Sequence, residues 1–404
     1  MFSIIQLSEN AKILLDVAEE NPIKDFDRYV KAASAIIKNT DPRFSIGIYG
    51  EWGTGKTTMM RGIENEIKTH DKVISVWFDA WRYENEEHHA AIPLLKKIAY
   101  SIEEDPNFKT VAEKIKTVAG IVTKDIVSGL ISKYIANVDV KKIKEEFKEK
   151  ISVLTEFEKD TIYYDGLDAI SKEMQSDPER KIIIFIDDLD RCSPEKTIQV
   201  LESTKAFLDI QGFVFVIGLS HDTTSKRIEE KYKDSDIRGE DYIKKIIQVP
   251  FHIQTWNKDD TIDLIKNMAT KLEPYYRTIV EKEDINRKLI IALEKNPREV
   301  KRFLNVFIIS NEIYFENKNI ESTTFLVVFA FKWRWPEIYE KFSNNKRFRE
   351  EIQKAKNLSD EERLEIFKKQ DKEEKNTNQK RKDFVFADTI ETLLSDKDFW
   401  EFMQ

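Results

Sequence analysis

Residues Gly50-Glu51-Trp52-Gly53-Thr54-Gly55-Lys56-Thr57 follow the spacing of a P-loop: a glycine, four residues, then glycine, lysine and a hydroxyl residue. Each position has a chemical reason. Glycines let the backbone turn tightly and aim consecutive N–H groups at phosphate oxygens. A helix beginning near Lys56 adds its positive N-terminal dipole. Lys56 reaches the β- and γ-phosphates, and the Thr57 hydroxyl ligates Mg²⁺. Gly47, Gly50, Gly53 and Gly55, four of the chain's eleven glycines, fall within nine residues. The stretch from Gly50 to Thr58, with Glu51, Trp52 and Thr54 inside it, predicts binding of ATP or GTP together with Mg²⁺.

An apolar run precedes this loop, and Thr58-Met59-Met60-Arg61 opens a helix after it. A second run, Ile182-Ile183-Ile184-Phe185-Ile186-Asp187-Asp188, is a hydrophobic strand ending in two acids, the form of a Walker B segment. Asp187 is expected to hold the Mg²⁺ shell through water. Asp188 is placed to orient or deprotonate an attacking water, with a side chain one methylene shorter than glutamate. Strand-end acids that merely cap the next helix are the alternative.

Five β-type runs, at 44–49, 73–78, 181–186, 212–219 and 246–253, are rich in Ile, Val and Phe. Near-continuous apolar strands separated by helical patterns predict a parallel α/β sheet. Residues 87–178 carry helical periodicity without a convincing strand and read as a helical insertion. Its most apolar portion, 118–138, is interrupted by Lys124, Asp125 and Lys133, and reads as an amphipathic core helix rather than a membrane-associated one. Helices follow from 258 to the end, with apolar faces at 303–309 and 325–335. The mixed-charge stretch 354–383 reads as solvated helix and loop, with partner docking as the alternative. The expected domains are a core of 1–86 and 179–256, the insertion 87–178, and a C-terminal helical domain 257–404.

Composition narrows the function classes. Of 404 residues, 35% are charged and 41% hydrophobic, enough for sizeable cores. A net charge of −8 argues against a protein devoted to coating DNA or RNA, although a local basic patch stays open. The single cysteine, Cys192, allows neither an internal disulfide nor a multi-cysteine zinc site. His88 and His89 have no accompanying ligand cluster and read as exposed polar residues. With no secretory signal and no uninterrupted apolar run of membrane-spanning length, a cytoplasmic location is expected.

With these segments in place, the chain resembles the KAP family of P-loop NTPases. The loop is of that family's Gly-x-Trp-Gly-x-Gly-Lys type. Trp77-Phe78-Asp79-Ala80-Trp81-Arg82-Tyr83-Glu84 is similar to its aromatic segment after the second strand. Asp187-Asp188-Leu189-Asp190-Arg191-Cys192 is similar to its extended acidic motif. Tyr242 to Phe251 resembles its fifth-strand motif, and Asn296-Pro297-Arg298-Glu299-Val300-Lys301-Arg302-Phe303-Leu304-Asn305 its helical motif. The resemblance covers roughly residues 20 to 340.

It implies the P-loop class with an additional strand between the P-loop and Walker B strands. That places 212–219 at the sheet centre with Ser220 in a sensor role, although an acid is common near that place in relatives. It also implies a helical domain from which Arg298 or Arg302 reaches the nucleotide, an ion pair or interdomain clamp being the alternative. Arg191 is a third candidate, acting across a subunit boundary, and Asp79 a candidate for positioning water. Cys192 stands at an expected family position rather than as a reactive thiol. Many relatives carry membrane helices where this chain has 87–178; the charges there do not permit a span.

The resemblance favours ATP over GTP. The expected function is a Mg²⁺-dependent ATPase acting as a conformational switch or assembly ATPase, in a prokaryotic antiphage system by analogy. The expected partners are proteins that supply the effector chemistry, with a homo-oligomer as a further option. A non-hydrolysing ATP-dependent scaffold is the alternative. A nucleic-acid motor or loader, drawing on basic segments such as 380–382, is the least favoured.

Overall fold

The computed structural model describes residues 13–15, 24–86, 90–126, 156–208, 210–233, 237–254, 256–282, 285–286, 289, 293, 296–314, 322–344 and 350. The charged stretch 354–383, His88 and His89, and residues 127–138 of the apolar portion of the insertion lie outside them. The chain forms two compact units, one of Ala18–Gln254 and the other of Met1–Val17 with Thr255–Gln404.

The first unit is built on five parallel strands: β1 Phe44–Tyr49, β2 Val73–Asp79, β3 Lys181–Asp187, β4 Phe213–Leu219 and β5 Val249–His252. Their order is β2-β3-β4-β1-β5, every pairing parallel. β4 therefore separates the strand before the glycine loop from the strand ending in Asp187, the additional-strand arrangement. β1, β3 and β4 are buried at every position, as continuous Ile, Val and Phe runs require when helices cover both faces. The edge strand β5 alternates in exposure and carries Pro250, which an edge tolerates. It is shorter than the apolar run predicts. Ile246 instead closes a helix, Gly239–Ile246, where Tyr242, Ile243 and Ile246 form its buried face.

Strand parity sorts the core into two layers. Ile182, Ile184, Ile186, Phe213, Phe215 and Ile217 face one side; Ile183, Phe185, Val214 and Val216 face the other with Ile46 and Ile48. The second layer is closed by α1 Lys24–Asn39 and α2 Lys56–Ile67. The first is closed by α3 Ala91–Ile102, α4 Lys109–Ile126, α5 Glu156–Gln175 and α6 Pro194–Leu208. In α3, Leu94, Leu95, Ile98, Ala99 and Ile102 recur at helical spacing and are buried. Among the described residues, 87–178 contains helices and no strand, and these helices share one apolar core with the sheet.

A buried lysine fixes α1. Lys181, the first residue of β3, donates its ammonium to the carbonyls of Ile37, Lys38 and Thr40 at 2.9, 2.7 and 3.2 Å. Ile37 and Lys38 belong to the last turn of α1, whose carbonyls have no partner within the helix, and Thr40 lies just beyond it; a cation there also meets the favourable end of the helix dipole. Burial pushes the Lys181 ammonium below the usual lysine range.

In the first unit, α7 His221–Lys231 follows β4, and α8 is the helix Gly239–Ile246. The second unit holds α9 Lys258–Ala269, α10 Pro274–Val280, α11 Pro297–Tyr314, α12 Ser322–Arg334 and α13 Pro336–Asn344. Asn257 and Asp260 form a reciprocal capping box at the start of α9. Tyr276, Phe303 and Phe307 are fully buried there, with the Tyr276 and Phe307 rings edge to face at 6.0 Å.

Candidate nucleotide site

The glycine loop leaves β1 at Tyr49 and enters α2 at Lys56. The Gly50 N–H donates to the Leu219 carbonyl on β4 at 3.3 Å, tying the start of the loop to the neighbouring strand. Gly53 and Gly55 adopt φ of 82° and 108°, left-handed values that a side chain strains. A Cβ at Gly55 would also lie 2.8 Å from the Phe26 ring. Glycine at 55 thus serves both the turn and its packing against α1. Trp52 stands half exposed on the loop.

Two side chains leave the first turn of α2. The Thr57 hydroxyl donates to Asp187 Oδ2 at 2.7 Å, joining the loop helix to the end of β3. Lys56 turns back over the loop and donates to the Gly50 and Glu51 carbonyls at 3.0 and 3.3 Å. Its ammonium also pairs with Asp190 at 2.8 Å, with 8% and 11% of the two side chains exposed.

Asp190 belongs to a single 3-10 turn, Leu189–Arg191, that follows β3. Asp188 enters this turn at φ 58°, a left-handed conformation that aspartate tolerates better than most residues. Its N–H donates to Asp187 Oδ1 at 2.9 Å, and its carboxylate pairs with Arg191 at 2.8 Å. Burial and the adjacent Asp187 charge push the Asp188 carboxyl above the usual range, against the pull of Arg191. The Arg191 guanidinium also lies over the Trp81 ring, 5.3 Å from its centroid.

Arg227 on α7 holds the turn from behind. Its guanidinium donates to the Leu189 and Asp190 carbonyls at 3.2 and 3.0 Å, and to the Thr197 hydroxyl at 3.3 Å. Asp190 stands within the extended acidic motif, where nothing in its spacing announces a role. Arg227 had no signal at all, being one cation among several on a charged helix.

Ser220 is buried at the end of β4, between the loop strand and the acidic strand. Its hydroxyl lies 3.4 Å from Glu51 Oε1 and 3.0 Å from Thr223 Oγ1. Asp79 ends β2 in register with Asp187 and accepts the Arg82 N–H at 3.3 Å. Cys192 is buried; burial foremost, with the nearby Glu84, pushes its thiol up to about 12, so it is not a nucleophile at neutral pH.

Arg298 and Arg302 lie on α11, in the second unit. The Arg298 N–H donates to Asn296 Oδ1 at 3.0 Å, and the Arg302 guanidinium pairs with Glu299 at 3.1 Å. Two other residues of the same motif hold the chain near its start. Asn305 accepts from the Leu14 N–H at 2.6 Å and donates to the Leu14 carbonyl at 2.8 Å, and Lys301 donates to the Leu15 carbonyl at 3.3 Å.

The donor set at Thr57 and Asp187 consists of hard oxygens, which suits Mg²⁺. Among the described residues no group of three or more His, Cys, Asp or Glu side chains is arranged to hold a metal. A hydroxyl and a carboxylate in contact, completed by phosphate and water oxygens, match how Mg²⁺ is ordinarily bound beside a nucleotide. No helix among the described residues is long and apolar enough to cross a membrane.

Known proteins resemble this chain at three levels of coverage. A human protein, kinase D-interacting substrate of 220 kDa, is 22% identical over 116 residues, which are 28% of this chain and 6% of that relative. The match therefore spans a small fraction of the relative's length. Among solved structures, the Aeropyrum pernix ORC2 protein superposes with a TM-score of 0.42 at 12% identity, covering 86% of this chain and 74% of that one. Cdc6p from Pyrobaculum aerophilum gives 0.40 at 12% identity, over 75% and 65%. A family model described as the KAP family P-loop domain matches residues 26–314, well over half the chain. That span takes in the glycine loop, both strand-end acids and the helix bearing Arg298, and the chain belongs to the KAP family of P-loop NTPases.

Proposed function

We propose that this protein is a Mg²⁺-dependent ATPase that works as a conformational switch or assembly ATPase. The observation that carries the reading is the 2.7 Å contact between the Thr57 hydroxyl and Asp187, with Lys56 beside it at the head of α2. Thr57 and Asp187 would hold Mg²⁺, which supplies charge neutralisation for the phosphate oxygens. The loop N–H groups from Gly50 to Thr58, Glu51, Trp52 and Thr54 among them, cradle the phosphates, and Lys56 pairs with their outer oxygens. Asp188 orients the attacking water and accepts its proton. Ser220, at the end of the intervening strand, senses the γ-phosphate. Arg298 or Arg302 contributes a guanidinium to the charge that develops in the transition state. Closure of the helical unit on bound ATP orders an interface for a protein partner, and hydrolysis releases it. A place in a prokaryotic antiphage defence system, with the partner supplying the damaging chemistry, rests on the family alone.

The second reading, an ATP-dependent scaffold without turnover, draws on the engagement of Asp188 by Arg191 and on its short side chain. ATP hydrolysis by the purified protein with Mg²⁺, compared with Lys56→Ala and Asp188→Asn, separates the two. Turnover lost in both variants supports the ATPase. Tight Mg²⁺-dependent binding without turnover in the wild type favours the scaffold. Absence of nucleotide binding sinks both.

A further inference from the structure

The ion pair between Lys56 and Asp190 is the best-shielded contact between opposite charges at the loop, and nucleotide binding as set out above does not require it. An ammonium has three donors. In this structure all three are spent, on two loop carbonyls and on Asp190. A phosphate that takes Lys56 must therefore displace at least one of them. The carbonyls are weaker acceptors than a carboxylate, so the Asp190 bond is the one whose loss governs the exchange. Asp190 does not hang on a free loop. Its turn is pinned by the Arg227 fork at two carbonyls, and Leu189 within the turn is fully buried. The carboxylate is thus pre-positioned by groups on α7, the helix that begins directly after Ser220.

We propose that Asp190 is a positioning residue for Lys56: it latches the ammonium across the loop in the nucleotide-free protein and competes with the incoming phosphates for it. The proposal rests on nucleotide binding at the glycine loop. Its energetic consequence has a definite sign. A bond present only in the free protein stabilises that state and weakens nucleotide affinity. Removing it raises affinity, as does removing a negative charge that would otherwise face the phosphates. Asp188 supplies the internal comparison. It carries the same charge two residues away but pairs with Arg191 rather than Lys56.

The test is equilibrium binding of a fluorescent ATP analogue with Mg²⁺ to the full chain, for the wild type, Asp190→Asn, Asp190→Glu, Asp188→Asn and Lys56→Ala. The latch predicts that Asp190→Asn tightens binding by about tenfold, the scale of one charge-assisted hydrogen bond. Asp190→Glu, which keeps the counter-ion, is expected to stay near the wild type, and Asp188→Asn to tighten much less than Asp190→Asn. Should Asp190→Asn not fold, Asp190→Ser carries the same expectation. Unchanged or weaker binding by the neutral variants overturns the latch, as does equal tightening by Asp188→Asn, which would mean that any lost charge suffices. A wild type that binds no better than Lys56→Ala instead removes the nucleotide-site reading and the latch with it. A wild type that binds through Lys56 while Asp190→Asn changes nothing removes the latch alone.

Discussion

Lys56 and Asp190 are 134 residues apart in the chain, yet Nζ and Oδ2 meet at 2.8 Å in a nearly water-free setting. One comes from the head of α2, the other from the 3-10 turn after β3, and β4 lies between their two strands. The additional strand sets the spacing at which a lysine on one side can reach an acid on the other. Thr57 and Asp187 bridge the same two elements at 2.7 Å.

Thr57→Ala is expected to raise the Mg²⁺ concentration needed for half-maximal nucleotide binding. Loss of a ligand oxygen worth ~1.4 kcal/mol corresponds to about tenfold. Titration of binding against Mg²⁺ checks it, and an unchanged Mg²⁺ requirement would remove Thr57 from the metal site.

Arg227→Ala deletes three hydrogen bonds to the turn and its neighbour Thr197. The expected cost is about 2 kcal/mol of stability, read by urea unfolding. Turnover should also fall by about tenfold, because the turn carrying Asp188 loses its placement. Arg227→Lys, which restores a charge but not the fork, should recover part of each. A stability loss with unchanged kcat would show that the clamp is only structural.

Asn305→Ala should destabilise the second unit by about 2 kcal/mol, since it strips both hydrogen bonds from the Leu14 backbone. Asn305→Asp keeps an acceptor for the Leu14 N–H but faces its carbonyl without a donor, so it should not rescue. Thermal melts of the full chain decide; a melt indistinguishable from the wild type in both variants would contradict the pairing.

Glu64 gives a pH dependence of known sign. Burial alone pushes its carboxyl up, but hydrogen bonds from Ser75, Arg61 and Lys68 outweigh this and hold it below its ordinary 4.5. A carboxyl depressed in the folded state stabilises above the unfolded value, and that stability is lost as pH falls through the folded value. The gap in unfolding free energy between wild type and Glu64→Gln should be widest above about pH 5, on the order of 1–2 kcal/mol. It should shrink as pH drops below 4.5. Urea unfolding across that range measures it, and a gap that widens towards acid would reverse the assignment.

Legibility varied with the range of the interactions. The strands at 44–49, 73–78 and 181–186 were readable to within a residue because continuous Ile and Val runs bury on both faces wherever they pair. The fifth was overextended, since Ile246 serves equally well as the last buried position of a helix and as the start of an apolar run. Lys181 would pass as an ordinary polar strand start. Only the approach of the α1 carboxyl end turns it into a buried cap. Among the motif residues of α11, Lys301 and Asn305 bond to Leu14 and Leu15, a partnership that nothing in their spacing announces.

What the sequence determined by itself was the local chemistry: a glycine loop whose backbone can take left-handed turns, a lysine and threonine at the head of a helix, and a strand that ends in acids. Those depend on residues within a turn or a strand of one another, and on a periodicity set by backbone geometry. The tertiary structure alone decided which acid Lys56 meets, that Arg227 clamps the turn presenting it, and which carbonyls Lys181 caps. These contacts join side chains from elements far apart in the chain. Which of them meet is set by strand order and by the burial that removes water as the competing partner.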